Sequence, residues 1–445
     1  MEEAVYNNNV DMVIWARNYQ MDIIDLVEQW TEFHVDLKWC DQSTWQLKLP
    51  TTAFFDAFHL GGQYGPASTL IKNGIACFRN QEVLPFIAGP ITSATRDWNG
   101  ADDFTTLNGM SDNYWLTGRA GIPLYNANPP STGDWIAGYP EYSGYLNTPA
   151  ESVMKNFLYY WIGPGQPTAW RQLPFFTTTG THTPQLGANL NYWLRWESMY
   201  DMCKKACQQS QADLSFQIID TGYSPPFNLW FQVYPIVDVT SSALFGTDLG
   251  TVRSFSFTEN RPQANVVYGA GPDFDPSTLK ISQEIGYRLY WAKTDGGSVI
   301  KYGDTAGNAP QAGRIEEFFD CGSITTQTPT KAQIIAAMSG ATDAELKKQA
   351  YSATVEINLE PNDMADFGQV ETGSGDFRLG CKVSVQLEDL VLADVIREIK
   401  ADFTPDKGEV ITPIVCDPMK FYNRSPMPFT YQNRWQMGDM LHNWK

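Results

Sequence analysis

A chain of 445 residues with 43% hydrophobic, 13% aromatic and only 18% charged residues is a folded protein with material for two to four domains, and composition excludes a disordered one. Fifty carboxylates against 31 Lys and Arg give a formal net charge of −19, which argues against duplex nucleic-acid binding by counterion release, because that needs a basic face. The aromatic content suits strands better than charge-laced helices, so the class expected is mainly β.

The opening MEEAVYNNNVDMVIW has neither a basic leader nor an apolar segment after it, and no apolar run reaches bilayer-crossing length. The expectation is a protein made without a signal. Seven cysteines (Cys40, Cys77, Cys203, Cys207, Cys321, Cys381 and Cys416) are odd in number and form no C-x-x-C pair, as expected of free thiols from a reducing cytoplasm.

From Asp11 to Pro50 the chain reads as strands, and its clearest element is FHVDLKWCDQSTWQLKLP, Phe33 to Pro50. Phe33, Val35, Leu37 and Trp39, then Trp45, Leu47 and Leu49, point one way; His34, Asp36, Lys38, Gln46 and Lys48 point the other. That alternation predicts a two-stranded ribbon with one apolar face. It suits a tryptophan-lined sugar groove or a piece of barrel wall, and the ribbon alone leaves both open. From Thr51 to Pro130 the chain stays rich in Gly, Asn, Asp and aromatics, with strands predicted at GIACFR and VLPFIAGPITSATRDW.

NTPAESVMKNFLYYWIG then turns helical. Thr148 reads as the N-cap, Pro149 as the first helical residue and Glu151 as the far side of a capping box, with Val153, Phe157 and Trp161 at helical spacing. A second helix is predicted in YWLRWESMYDMCKKACQQSQ, where Met199, Cys203 and Ala206 or Cys207 share a face. Packing is preferred to a metal clip for Cys203 and Cys207, since no histidine lies near them in the chain. DLSFQIID and FNLWFQVYPI predict a hairpin, and VRSFSFTENRPQANVVYGAG continues in strands. A helical passage is predicted between Thr330 and Ala350 with a capping-type start at Thr342 and Glu345, followed by a strand at SATVEINLE.

In FRLGCKVSVQL, Val383, Val385 and Leu387 alternate. From Leu390 to Phe403, Val391, Val395 and Ile399 fit either period, while Asp394, Glu398, Lys400 and Asp402 on the opposite parity favour a strand. The end carries Lys420, Arg424, Arg434 and Lys445 against Asp417 and Asp439, a slightly basic tail that reads equally as a docking arm or as a wrap on its own domain.

The sequence carries few motifs with chemistry in them. Four histidines (His34, His59, His182 and His442) and no G-x-S-x-G elbow argue against a hydrolytic triad. H-E-x-x-H is absent, and GPDFDPS (Asp273, Asp275) and NDMADFG (Asp363, Asp366) are incomplete calcium loops, read as turns. GAGPDFD and GDTAGNAPQAG lack the lysine of a phosphate loop. A glycosidase needs only two carboxylates about 5–10 Å apart, and fifteen tryptophans resemble a carbohydrate surface, so carbohydrate binding or cleavage stands as the alternative reading.

The order of segments FHVDLKWCDQSTWQLKLP, PAESVMKNFL, LWFQVYPIVDVTSSALF, VRSFSFTENRPQANVVYGAG, GDFRLGCKVSVQL and VIREIKADFTPDKGEVITPIVCD resembles the tail-hub (baseplate hub) minor tail proteins of siphophages that infect actinobacteria, over roughly residues 10 to 417. The resemblance implies two tail-tube-like β-barrel domains with α/β insertions: a barrel domain over 1–146, a helical insertion over 147–225, a second barrel over 226–416 and an extended arm over 417–445. It implies a structural, non-enzymatic role in the virion tail tip, without cofactor or metal, after synthesis in the bacterial cytoplasm. A homotrimeric ring would join the hexameric tail tube and distal tail protein to a threefold tip and pass DNA without binding it. Tape measure protein and other tip or fibre proteins would be neighbours, and the host envelope an indirect partner. No added wall-degrading domain is expected. Cys381 stands where the family's LGD pattern has an aspartate. A wall rich in carboxylate repels phosphate over about one Debye length, roughly 8 Å. The lumen candidates are therefore Glu356, Glu360, Asp363, Asp366, Glu371, Asp376 and Glu388, and the docking-arm candidates Phe421, Tyr422, Phe429, Tyr431, Trp435 and Trp444.

Overall fold

The computed structural model describes residues 12–18, 20–59, 73–79, 84–122, 143–173, 175–178, 185–194, 196–210, 212–220, 228–260, 263–275, 280–281, 288–294, 315–320, 331–349, 352–359, 367–368, 376–387, 390–406 and 408–415. The described residues are mainly β, 54% strand against 18% helix, as composition led us to expect. It divides into two compact units: residues 1–236 with 325–329 and 398–413, and residues 237–324 with 330–397 and 414–445.

The first unit opens with β1 (Met12–Asn18), β2 (Ile23–Leu26), β3 (Glu32–Lys38), β4 (Thr44–Pro50), β5 (Asn73–Arg79), β6 (Ile87–Trp98) and β7 (Asp103–Met110). The predicted ribbon is β3 paired with β4. Residues 398–403 of a late strand lie against β3, and the order runs on through β4, β7, β6, β5, β1 and β2, every pair antiparallel. Alternation explains the pairing. Phe403, Phe33, Leu47 and Leu107 are register partners on four successive strands, and all four are fully buried. The next inward row is Ala401, Val35, Trp45, Gly109 and Ile91. Gly109 is required there. A Cβ on it would lie 2.1 Å from the Trp45 ring, and the indole is held in place by its Nε1 donating to the Met110 carbonyl at 3.1 Å.

β5 is buried at all seven positions. One face joins the sheet's interior, while Ala76 and Phe78 belong to a second core shared with a helical layer. That layer contains β8 (Ser143–Pro149), the Ala150–Trp161 helix, β9 (Phe176–Thr178), β10 (Asn189–Leu194), the Met199–Gln209 helix, β11 (Leu214–Asp220) and β12 (Leu229–Pro235). Val153, Phe157 and Trp161 are buried on one helix face as their spacing required, and Met199, Cys203, Ala206 and Cys207 are buried on the other helix. The β11–β12 hairpin forms as predicted. The Arg17–Asp112 ion pair is buried beneath, and Trp115 Nε1 also donates to Asp112 at 2.7 Å.

One cap differs from its sequence reading. Pro149, not Thr148, is the N-cap, and no side chain caps the helix. Thr148 is held in β8 by pairing with Leu190, and its hydroxyl donates to the Leu146 carbonyl at 2.9 Å. Glu151 turns outward from the cap to accept the Leu186 N–H at 2.8 Å and to pair with Lys155 at 2.8 Å. Strand pairing and a buried ion pair outcompete the local box. The second helix does have an N-cap: Ser198 Oγ accepts from Asp201 N at 3.0 Å.

The second unit holds β13 (Val237–Asp238), β14 (Leu244–Gly246), β15 (Val252–Asn260), β16 (Val266–Asp275), β17 (Lys280–Ile281), β18 (Arg288–Thr294), β19 (Glu316–Asp320), the Lys331–Lys348 helix, β20 (Ser352–Leu359), β21 (Cys381–Leu387), residues 390–397 of β22 (Leu390–Thr404) and residues 414–415 of β23 (Gly408–Val415), the rest of these last two strands belonging to the first unit. β13 and β14 lie parallel to β21, which pairs antiparallel with β22; β15 pairs with β20, and β16 with β18 and β19. Leu390–Phe403 is thus a strand, as parity indicated, although Asp394 is buried rather than outward. Two readings change. Thr342 does not start a helix but sits buried inside one, its hydroxyl donating to the Met338 carbonyl four residues back at 2.8 Å. Asp273 and Asp275 are strand residues paired with Arg288 and Lys280, not turn residues, because β17 and β18 extend the ladder past the GPDFD glycine. Asp363 and Asp366 lie outside the described residues. Cys381 is fully buried after Gly380, whose φ of +81° is the left-handed conformation glycine tolerates. Among the described residues no helix is long and apolar enough to cross a membrane.

Replacing Gly109 with Ala overpacks the Trp45 site. The expected loss is about 1–3 kcal/mol of unfolding free energy by denaturant titration, with Gly118→Ala, whose Cβ meets open space, near neutral.

Candidate functional site

The opening hairpin has two working surfaces, both within the first unit. Its turn holds the helical layer. Asp41 accepts from the Tyr200 hydroxyl at 2.7 Å and from Lys204 Nζ at 2.8 Å. Cys40, in the left-handed region at φ 55°, donates its N–H to Ser215 Oγ at 2.8 Å, and Trp39 Nε1 donates to Asp213 at 3.3 Å. Asn113, after β7, completes the clamp by donating to the Phe216 carbonyl at 3.3 Å and accepting from Ile218 N at 2.8 Å. Burial opposes ionisation of Asp41, but the hydrogen bonds from Lys204 and Tyr200 outweigh it and hold the carboxyl below its ordinary range. Its own burial, and then the same contact with Asp41, push the Tyr200 hydroxyl far up, so it stays a donor.

The outward face is a polar ladder. Asp402, His34, Gln46, Asn108 and Ser93 are successive register partners across five strands. His34 Nδ1 bonds to Asp402, Gln46 Nε2 donates to Asn108 Oδ1 at 2.8 Å, and Asn108 Nδ2 donates to Ser93 Oγ at 3.0 Å. Beside this row Lys48 pairs with Glu32 at 3.0 Å; that hydrogen bond draws the Glu32 carboxyl down against a smaller opposing effect of burial. A shallow cleft of about 390 Å³ lies over the ladder, lined by His34, Asp36, Gln46, Asn108, Lys400 and Asp402 among others. At the strand spacing of about 4.8 Å the row spans roughly 19 Å. It offers alternating donors and acceptors to a flat partner.

Trp45 is buried in the interior and Trp39 is tied to Asp213, so neither forms the floor of an open sugar groove. Of the lumen candidates, Glu356 lies half-buried in β20 and Asp376 on the segment before β21. Glu360, Asp363, Asp366, Glu371 and Glu388 lie outside the described residues, as do Phe421, Tyr422, Phe429, Tyr431, Trp435 and Trp444. Sequence reading missed the turn clamp and the Asp402–His34 link, whose partners are 368 residues apart. Among the described residues no three His, Cys, Asp or Glu side chains are grouped to hold a metal.

The model of the Siphovirus ReqiPepy6 Gp37-like protein family matches residues 11–415. The chain belongs to that family. The matched span is nearly that of the segments whose order resembled tail-hub proteins. Two solved structures share the fold. The tail protein from Neisseria meningitidis MC58 aligns at a TM-score of 0.50 and 9% identity, over 91% of this chain and 96% of that one. The 43 kDa tail protein of prophage MuSo2 from Shewanella oneidensis aligns at 0.51 and 11%, over 92% and 98%. No curated protein matches the sequence. This siphovirus family member therefore has the fold of phage tail proteins along nearly its whole length.

The turn clamp is testable. Asp41→Ala removes two charge-assisted hydrogen bonds and is expected to cost roughly 1 kcal/mol, read as faster amide exchange in the Met199–Gln209 helix. Because the folded carboxyl titrates below its unfolded value of about 3.9, its contribution is complete above that pH and disappears as pH falls through the lower folded value. Wild-type exchange in this helix should rise on acidification below about pH 4 more steeply than in Asp41→Asn.

Proposed function

We propose that the chain is a structural hub of a siphophage tail tip: three copies form a ring that joins the hexameric tail tube and distal tail protein to a threefold tip and through which DNA leaves the virion. The observation that carries this reading is the end-to-end likeness to two tail proteins, each matched over at least 96% of its own length. A likeness confined to one barrel would indicate a shared module; one that covers the whole chain supports a shared architecture. A role in scaffolding rather than catalysis agrees with a first unit whose polar residues are committed to strand ladders and clamps. Tape measure protein, fibre proteins and the host envelope would be met through this ring.

On the same reading the carboxylates from Glu356 to Glu388 face the lumen, where they repel passing phosphate and keep DNA from sticking. Residues 417–445 form an arm that docks on a neighbouring tip protein through its aromatics. The barrels, the insertion and the arm then correspond to 1–146 and 226–416, 147–225, and 417–445.

The mass of the purified chain by light scattering, with negative-stain imaging, tests the ring. The expected species is three times 50.0 kDa with an axial hole; a chain that stays monomeric even when mixed with its distal tail protein rejects the trimeric hub. In virions, deletion of residues 418–445 should weaken tip assembly while leaving the circular dichroism of the purified chain unchanged, and normal virion yield would remove the arm's role.

A further inference from the structure

We propose that Arg119 and Arg171, in the helical layer of the first unit, form an oxyanion-binding site. Four Lys or Arg side chains are buried among the described residues: Arg17, Arg79, Lys155 and Arg171. Three of them carry a carboxylate, Arg17 on Asp112, Arg79 on Glu409 and Lys155 on Glu151. Arg171 faces another arginine instead. It is 6% exposed, at the end of the short 3-10 turn Ala169–Arg171. Its Nη2 donates to the Ala120 carbonyl at 3.4 Å, while Nη1 is buried with no acceptor. Arg119 Nη1 reaches back to the Arg171 carbonyl at 3.5 Å, and both bonds are near the limit of useful length.

The charges explain why this arrangement asks for a ligand. Burial, and for Arg171 also the neighbouring Arg119 charge, disfavour the protonated guanidinium of each side chain. A buried cation left without a counter-charge is strongly unfavourable. The acid closest along the paired backbone is Glu197, whose carbonyl accepts from Gly121 N, but its carboxylate is already engaged by the Tyr192 hydroxyl at 2.9 Å and by Lys205. An oxyanion entering from the side of the half-buried Arg119 would offset the charge of the pair and supply the missing acceptors, in the bidentate geometry that guanidinium groups favour.

The surroundings also point to contact. Trp196 donates its N–H to the Gly121 carbonyl, one residue from the Ala120 anchor of Arg171. It is 52% exposed and stands at φ +59°, a conformation costly for a bulky residue. An exposed Trp beside an arginine pair is the composition of an interface centre. Two sources supply the required anion: a carboxylate presented by an acidic chain, or a phosphate.

Thermal unfolding of the full chain in inorganic phosphate, in acetate and in chloride at matched ionic strength tests the site. Phosphate or acetate should raise the midpoint by a few degrees over chloride. Acetate acting without phosphate identifies the carboxylate source, and phosphate acting more strongly identifies the phosphate. Arg171→Gln should abolish the anion-specific rise, and Arg171→Lys should keep part of it. If Arg171→Gln does not fold, Arg119→Gln, at a half-buried position, reads the same loss. No anion-specific rise in the wild type, or a rise undiminished in the glutamine variants, overturns the proposal.

Discussion

The register of β3 against its neighbours is the constraint from which the first unit's other features follow. Strand side chains alternate, so a slip of one residue would send Phe33, Leu47, Leu107 and Phe403 to solvent and His34, Gln46 and Asn108 into the core. Four fully buried apolar side chains in one row make that slip prohibitive. With the register held, the polar ladder falls on the outer face and Trp45 falls opposite Gly109. The turn then presents Asp41 where Tyr200 and Lys204 can reach it.

The hairpin thereby acts at two levels. Its flanks are sheet, and its tip is an anchor for a helical layer more than a hundred residues later in the chain. β5 shows the same economy, since burial at every position lets a single strand close the sheet's interior on one face and the helical layer's core on the other. A scaffold built from strands that each serve two layers resists deformation, which suits a protein whose fold is that of phage tail components. Among the described residues the buried cations follow a matching rule: Arg17, Arg79 and Lys155 are paired with carboxylates, and Arg171 is the exception.

Local readings held where one pattern acted alone and failed where a distant partner competed. Val153, Phe157 and Trp161 sit on a buried helix face because helical spacing needed no other information. Thr148 and Glu151 match a capping box in sequence, yet β10 claims Thr148 and the Leu186 N–H claims Glu151. Thr342 and Glu345 match the same motif inside a continuous helix, where a buried hydroxyl is satisfied by the carbonyl one turn back. A four-residue motif cannot register which of its groups a remote segment will engage.

The sequence by itself determined the mainly β class, the apolar and polar faces of the opening hairpin, the Ala150–Trp161 and Met199–Gln209 helices and the strand from Leu390 to Phe403, because periodicity and parity are properties of the chain alone. Only the tertiary structure decided which strands adjoin and therefore which polar groups meet. His34 and Asp402 are 368 residues apart, and nothing local couples them until β22 lies down on β3. Arg119 and Arg171 are likewise ordinary surface-type residues in the sequence. Packing of two loop segments buries one behind the other, and desolvation, which depends on every neighbouring atom, turns that placement into a demand for an anion.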